Sequence, residues 1–331
     1  MADERVKVLL FGLGAIGGFY AFIIGRNENV SLSVVARSNY EEVKKNASGL
    51  IVESENHGRH KVNIEHVLRS PADAGTTFDY IVCANKAVDP DSIPPLLKPA
   101  VGEQTTFIIA QNGVGNEGPF RHHFPSNSIV SCVIWVGAIQ NTDRDVSQPG
   151  PGIIKHHTSE NTQLGLFPNS MLDVAVEKQR LDQFATLFRN GGTGFEVMEN
   201  VQVNKWEKVV WNVAWNSLTT LTGVDTQTWL KTPEAMSMTK RLMREVIDVA
   251  RRCDVPLEHS LVDVHIERIL AVPGIFSSMH EDSKQGRPLE VDVILGYPMK
   301  KAREFGMDVP TLSAVYAMVM AVNGRILKSR Q

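Results

Sequence analysis

Cysteine is scarce in this sequence: three residues in 331, at Cys83, Cys132 and Cys253, with no CxxC pair and no zinc-type spacing. That pattern gives no case for a disulfide framework or a structural metal, and it suits a reducing compartment. Runs of a single charge are missing too. The 34 Lys and Arg are interspersed with 37 Asp and Glu, for a formal net charge of -3. A nucleic-acid backbone or an anionic membrane surface is therefore not an expected partner. Long apolar runs are lacking: the stretch 129–139 falls short of the roughly 20 residues that span a bilayer. The opening MADERVKVLL sets charges where a signal peptide would carry its apolar core, so a cytoplasmic location is expected.

What is present is enough apolar sequence for a substantial core, in a chain long enough for two domains. A valine- and leucine-rich run over 5–11 stops at Gly12-Leu13-Gly14-Ala15-Ile16-Gly17-Gly18 and becomes helical afterwards. That order of strand, tight turn and helix is a dinucleotide-binding pattern. Gly12 permits the turn, Gly14 lets backbone approach a pyrophosphate, and Gly17 lets helix and strand pack closely. The next strand, 31–36, ends at Arg37-Ser38-Asn39. An NAD site usually carries a carboxylate there for the ribose 2′-hydroxyl. Arg37 and Ser38 suit a 2′-phosphate instead, so NADP is the expected cofactor, with an exposed loop cation as the alternative reading of Arg37.

Two later buried strands, 80–83 and 105–110, run into polar clusters, Ala84-Asn85-Lys86 and Gln111-Asn112-Gly113-Val114-Gly115. Open parallel sheets bind ligands beyond strand C-termini, which makes Lys86 and Asn112 candidates to face cofactor and substrate. The alternative readings, which the two clusters by themselves favour, are a surface lysine and an Asn-Gly turn. Residues 48–62 read as a hairpin in which His57 and His60 are solvated. The adjacent pairs His122-His123 and His156-His157 read as surface residues, and further strands at 129–139, 152–156 and 163–167 extend the first sheet. The expected division is an α/β Rossmann-type dinucleotide-binding domain over 1–199 and an all-α C-terminal domain over 200–331.

The second half is organised around 206–223, WEKVVWNVAWNSLTTLTG, a helix apolar nearly all round. Lys208, Asn212 and Asn216 recur every four residues and so share one side. Two readings stand. Lys208 can snorkel to solvent while the amides bond nearby backbone. Alternatively, a lysine held among apolar walls gives up its proton readily and serves as a general acid toward a carbonyl. Farther on, SSMHEDSKQGRPLEVD brings Ser278 and Glu290 to the start of another helix, where the helix dipole favours Glu290 whether or not it has a task.

Together these motifs resemble the ketopantoate reductase family. The resemblance runs through GLGAIGG, Arg37, Lys86, Asn112 in NGVG, the Lys-x3-Asn-x3-Asn series and SSMHEDSKQGRPLEVD, and it covers nearly the whole chain. It implies a 2-dehydropantoate 2-reductase of pantothenate biosynthesis, which uses NADPH to reduce the C2 ketone of 2-dehydropantoate to pantoate. It further implies that Lys208 protonates the carbonyl oxygen and that Glu290 binds the substrate hydroxyl and assists. Asn112, Asn212, Asn216 and Ser278 would bind substrate, while Gly12 through Gly17, Arg37, Lys86 and Asn112 would bind cofactor. The partners implied are a small 2-oxo acid and, as the assembly considered, a homodimer. Asn216-Ser217 replaces the family's usual Asn-Pro, and Trp211 and Trp215 stand where smaller residues are usual, which separates reaction class from substrate identity. An NADP-dependent dehydrogenase of another 2-oxo or 3-hydroxy acid is the alternative enzyme. A non-catalytic NADPH-binding sensor is the alternative of another class, and the presence of both Lys208 and Glu290 argues against it.

Overall fold

The computed structural model describes residues 5–45, 49–140 and 152–330. It divides into two compact units, one of Met1–Lys86, Pro90–Gln111 and Asn116–Val201, the other of Ala87–Asp89, Asn112–Gly115 and Gln202–Gln331.

In the first unit the strands are β1 (Val6–Phe11), β2 (Val30–Val35), β3 (Ile51–Ser54), β4 (Gly58–Lys61), β5 (His66–Leu68), β6 (Phe78–Cys83), β7 (Val101–Ile109), β8 (Ser128–Ile134), β9 (Ala138–Gln140), β10 (Ile153–His156), β11 (Thr162–Leu166) and β12 (Phe195–Val197). The helices are α1 (Ala15–Ile24), α2 (Tyr40–Lys45), α3 (Ile93–Leu97), α4 (Glu117–His123) and α5 (Val174–Gly191). Eight strands form one sheet in the order β12-β11-β8-β7-β6-β1-β2-β5. Its ladders are parallel except β11 against β8. β2 is buried along its whole length and β1 over its last four residues, which is why both read as near-continuous apolar runs. The strand order reverses between β1 and β6, the switch point at which open α/β sheets take ligands.

A second sheet, β4-β3-β10-β9, stands apart from the first, so the stretch 152–156 does not extend the main sheet as expected. The run 129–139 is likewise two strands, not one. Trp135 and Gly137 donate their backbone N–H groups to Asn161 and Ser159, each at 2.8 Å. Those acceptors lie in the link between β10 and β11, whose strands belong to different sheets, so the break marks the point where the chain changes sheet. Within the 48–62 hairpin, Ser48 lies outside the described residues.

Contrary to the surface position expected of it, His156 is buried, because the alternation of β10 turns it to the same face as Ile154. Its Nε2 donates to Ser159 O at 3.3 Å, and its Nδ1 is 2.8 Å from Ser54 Oγ. Burial pushes its pKa down. His57 is not solvated either: its Nε2 pairs with Glu160 Oε1 at 2.9 Å.

The second unit is helical: α6 (Val201–Thr222), α7 (Thr226–Leu230), α8 (Ala235–Arg252), α9 (Leu261–Leu270), α10 (Ser278–Lys284), α11 (Tyr297–Glu304) and α12 (Pro310–Lys328), with a π-helical turn at Asp292–Gly296 leading into α11. α6 stops where Gly223 turns left-handed at φ 71°. Val209, Val210, Val213, Ala214 and Leu218 are buried within one cluster with Leu242, Met243 and Val246 of α8 and Leu312 and Val315 of α12. Each such Val or Leu contributes about 1.5–3 kcal/mol, and Val213→Asp would set an unpaired carboxylate at its centre.

Candidate functional site

In the first unit the glycine loop follows β1. Gly12 takes φ 100°, and a Cβ there would meet the backbone N of Asn85, just past β6, at 2.5 Å. A Cβ on Gly17 would lie 2.0 Å from the Gly12 carbonyl oxygen, whereas one on Gly14 meets nothing within 4 Å. The two glycines are thus required by close packing at the switch point, and Gly14 keeps the start of α1 open. No acidic residue occupies the first turn of α1, so its N–H groups and dipole suit an anion. These are the features a dinucleotide pyrophosphate needs. Leu13 is buried, Gly14 exposed, and Ala15 and Ile16 half-buried at the helix start. Arg37 is exposed just past β2.

Three amide side chains here carried no sequence signal of their own. Asn39 Nδ2 donates to Leu13 O at 2.7 Å, tying the segment after β2 to the glycine loop. Gln111 Nε2 donates to Asn85 O at 2.9 Å, and Asn116 Nδ2 donates to Gln111 Oε1 at 3.4 Å. This chain of amides braces the ends of β6 and β7. Lys86 closes the first segment of this unit and is exposed.

The second unit gathers the other candidates. Glu290 is 6% exposed. Its Oε1 accepts from Ala87 N at 2.9 Å, and its Oε2 accepts from Asn112 Nδ2 at 3.4 Å. Asn112–Gly115 lies hard against the stretch that follows Glu290. Val114 N donates to Val293 O at 2.9 Å. A Cβ on Gly113 would come within 2.4 Å of Val293 O, and one on Gly115 within 2.1 Å of the Tyr297 ring. Both glycines also have left-handed φ, 85° and 82°, so NGVG is needed here for fit as well as conformation.

Glu290 also acts on Lys208. The lysine is half-buried, yet burial of its amine pushes its pKa down to about 7; Glu290 pulls it up, and Lys205 and Arg268 lower it further. Lys205 is itself buried, a neighbour that sequence reasoning missed because it falls one helical turn before Lys208. Asn212 and Asn216 are buried, and Asn212 Nδ2 has no hydrogen-bond partner. Ser278 is exposed at the start of α10. Its neighbour Ser277, passed over in the sequence, caps α10 by accepting from His280 N at 3.1 Å and lies 2.8 Å from Thr219 Oγ1. Between Ser278 and Glu290 the chain is pinned by the Arg287 and Asp282 pair, Nη2 to Oδ1 at 2.8 Å.

The Trp211 indole stacks edge-on with His265, ring centroids 5.5 Å apart. His265 is 5% exposed; its Nε2 donates to Glu207 O at 3.1 Å. Burial pushes it down to about 4, so the ring is neutral at pH 7. Trp215 Nε1 is buried without a hydrogen-bond partner. No helix of the described residues is long and apolar enough to cross a membrane.

A dinucleotide-type α/β sheet followed by a helical unit is the make-up of an oxidoreductase acting on CH–OH groups with a nicotinamide dinucleotide. Residues 8–169 match the family profile described as ketopantoate reductase PanE/ApbA, and residues 200–323 match that of its C-terminal part. The chain belongs to the ketopantoate reductase family. It is 26% identical to the 2-dehydropantoate 2-reductase of Nostoc over 326 residues, which cover 98% of this chain and 97% of that one. The crystal structure of 2-dehydropantoate 2-reductase from Methylococcus capsulatus is 30% identical, with a TM-score of 0.84 over 97% of this chain and 98% of that one. A ternary structure of D-mandelate dehydrogenase with NADH and anilino(oxo)acetate shares the fold at 19% identity, TM-score 0.84, over 97% of this chain and 99% of that one.

Proposed function

We propose that this oxidoreductase uses NADPH to reduce the C2 ketone of 2-dehydropantoate, with Lys208 as the general acid. The observation that carries the reading is the Lys208 amine, which burial pushes down to about 7 while the charge of Glu290 draws it up. When bound, the nicotinamide supplies the hydride that reaches the ketone carbon. Lys208 gives its ammonium proton to the oxygen, where negative charge builds, so the product is an alcohol and the amine is left neutral. An ammonium aimed at that oxygen stabilises the transition state more than the ground state.

Glu290 keeps enough of the Lys208 population protonated at neutral pH and offers an acceptor to the substrate hydroxyl. Asn112, Asn212, Asn216 and Ser278 are the donors that would orient the substrate oxygens, and Asn212 Nδ2 is already buried without a partner of its own. A buried donor in that state costs about 1–3 kcal/mol, which a substrate oxygen would recover. Arg37 and Ser38 would take the 2′-phosphate of NADPH, and Lys86 and Asn112 the nicotinamide end. A homodimer is proposed as the assembly; a fold neighbour from Staphylococcus aureus is described as a dimeric ketopantoate reductase.

The test is NADPH oxidation by purified protein against a panel of 2-oxo acids that includes 2-dehydropantoate. Turnover highest on 2-dehydropantoate supports the proposal. Turnover only on other 2-oxo acids overturns the substrate, and none on any overturns the reaction.

A further inference from the structure

The second unit contains an open cavity of about 530 Å³, within the range of roughly 300–1,000 Å³ common for small-molecule sites. None of the candidate catalytic or substrate residues lines it. Its walls come from the end of α6 with Thr220 and Gly223, from Phe276, from α10 with His280, Glu281, Ser283 and Lys284, and from Arg325 on α12. Neither Lys284 nor Arg325 makes an ion pair among the described residues. Two cations therefore face one cavity against a single carboxylate, Glu281.

His280 is fixed in orientation. Its Nδ1 donates to Thr219 O at 3.0 Å, and its ring stacks on Phe276 with centroids 4.4 Å apart. With Nδ1 committed, Nε2 is the ring atom left to meet a ligand. Thr220 adds an unusual hydroxyl. Ser217, Thr219 and Thr222 each donate to the carbonyl four residues earlier, whereas Thr220 Oγ1 is covered and has no partner. The Ser283 hydroxyl, an oriented imidazole and two unpaired cations are complementary to a small oxygen-rich anion.

We propose that this cavity binds a small oxyanion, the phosphate or carboxylate group of a metabolite-sized molecule, held by Lys284 and Arg325 with His280 as its third contact. Glu281 and the carbonyl end of α6 oppose it, so an anion lacking other contacts binds weakly, with a dissociation constant on the order of millimolar. The site stands independently of the substrate assigned above, since binding is measured without turnover.

The experiment is titration of the full-length protein with inorganic phosphate in one arm and malonate in the other, followed by calorimetry and by NMR of the His280 and Thr220 resonances. Saturable binding in either arm is expected, with both resonances shifting, and the stronger arm names the ligand class. Lys284→Gln and Arg325→Gln should each weaken binding about tenfold, and Glu281→Gln should tighten it several-fold, with circular dichroism unchanged. Absence of saturation in both arms overturns the proposal. So does binding that the three substitutions leave unaltered, or that shifts resonances elsewhere only.

Discussion

Glu290 Oε1 accepts a hydrogen bond from the backbone N–H of Ala87 at 2.9 Å, across 203 positions of sequence. The same carboxylate accepts from Asn112 and sets the charge around Lys208. One side chain therefore fixes two loop segments and biases one proton equilibrium, and replacing it affects both.

Glu290→Gln keeps an acceptor for one of its two donors but removes the charge that holds the Lys208 pKa up. On the proposed mechanism the descending limb of the pH profile for ketone reduction should move to lower pH, because less ammonium remains at any given pH. A profile of kcat/KM against pH checks this; an unmoved limb would separate Glu290 from the titrating group.

Lys208→Met should lower kcat by about a hundredfold or more while leaving NADPH affinity and the thermal midpoint close to wild type. The wild-type enzyme should lose reduction rate as pH rises above about 7, where the amine becomes neutral. Stopped-flow turnover beside fluorescence titration of the cofactor tests both. A folded, fully active Lys208→Met would place the proton source elsewhere.

Gly14→Ala and Gly17→Ala should part company. Position 14 has φ −86° and open space around an added methyl, so the alanine protein should fold normally and bind cofactor at least tenfold more weakly. At position 17 the methyl would press into the Gly12 carbonyl, and stability should fall by about 1–3 kcal/mol or more. Thermal melts and cofactor titrations on the two variants distinguish the cases.

Arg37→Ala should weaken NADPH far more than NADH, since only the former carries the 2′-phosphate that a guanidinium pairs with. Paired titrations of both cofactors measure it. Equal NADPH affinity in variant and wild type, or a wild-type preference for NADH, would refute the assignment.

His265 should make the protein acid-sensitive. Its folded pKa of about 4 lies below the usual 6.5, so the unfolded chain binds more protons between those values. Stability is fully present above pH 6.5 and is lost as pH falls toward 4, by on the order of 3 kcal/mol. His265→Gln keeps a donor for the Glu207 carbonyl and should flatten that dependence in urea melts taken across the window.

Much of this was legible in residues alone because each signal is local. Gly12, Gly14 and Gly17 announce a turn through their spacing, and Lys208, Asn212 and Asn216 share a helix face through theirs. The NGVG motif could be found in the sequence but not explained, since the Tyr297 ring against Gly115 lies 182 positions away. The same holds for Asn39 on the Leu13 carbonyl and for Gln111 on Asn85, whose amides resemble any polar loop residue until the fold brings their acceptors near. The burial of His156 is not legible in the sequence for a related reason. Adjacent histidines must face opposite ways on a strand, but which of them turns inward depends on the register of β10.

A lysine pushed down to about 7 has a kinetic corollary. Near neutral pH both of its protonation states are populated, so the group that gives a proton to a ketone can also accept one from an alcohol. On the proposed mechanism the protein does not itself impose a direction. Reduction or oxidation is decided by the ratio of reduced to oxidised cofactor around it, and acidity tips the balance toward the alcohol by one proton per turnover.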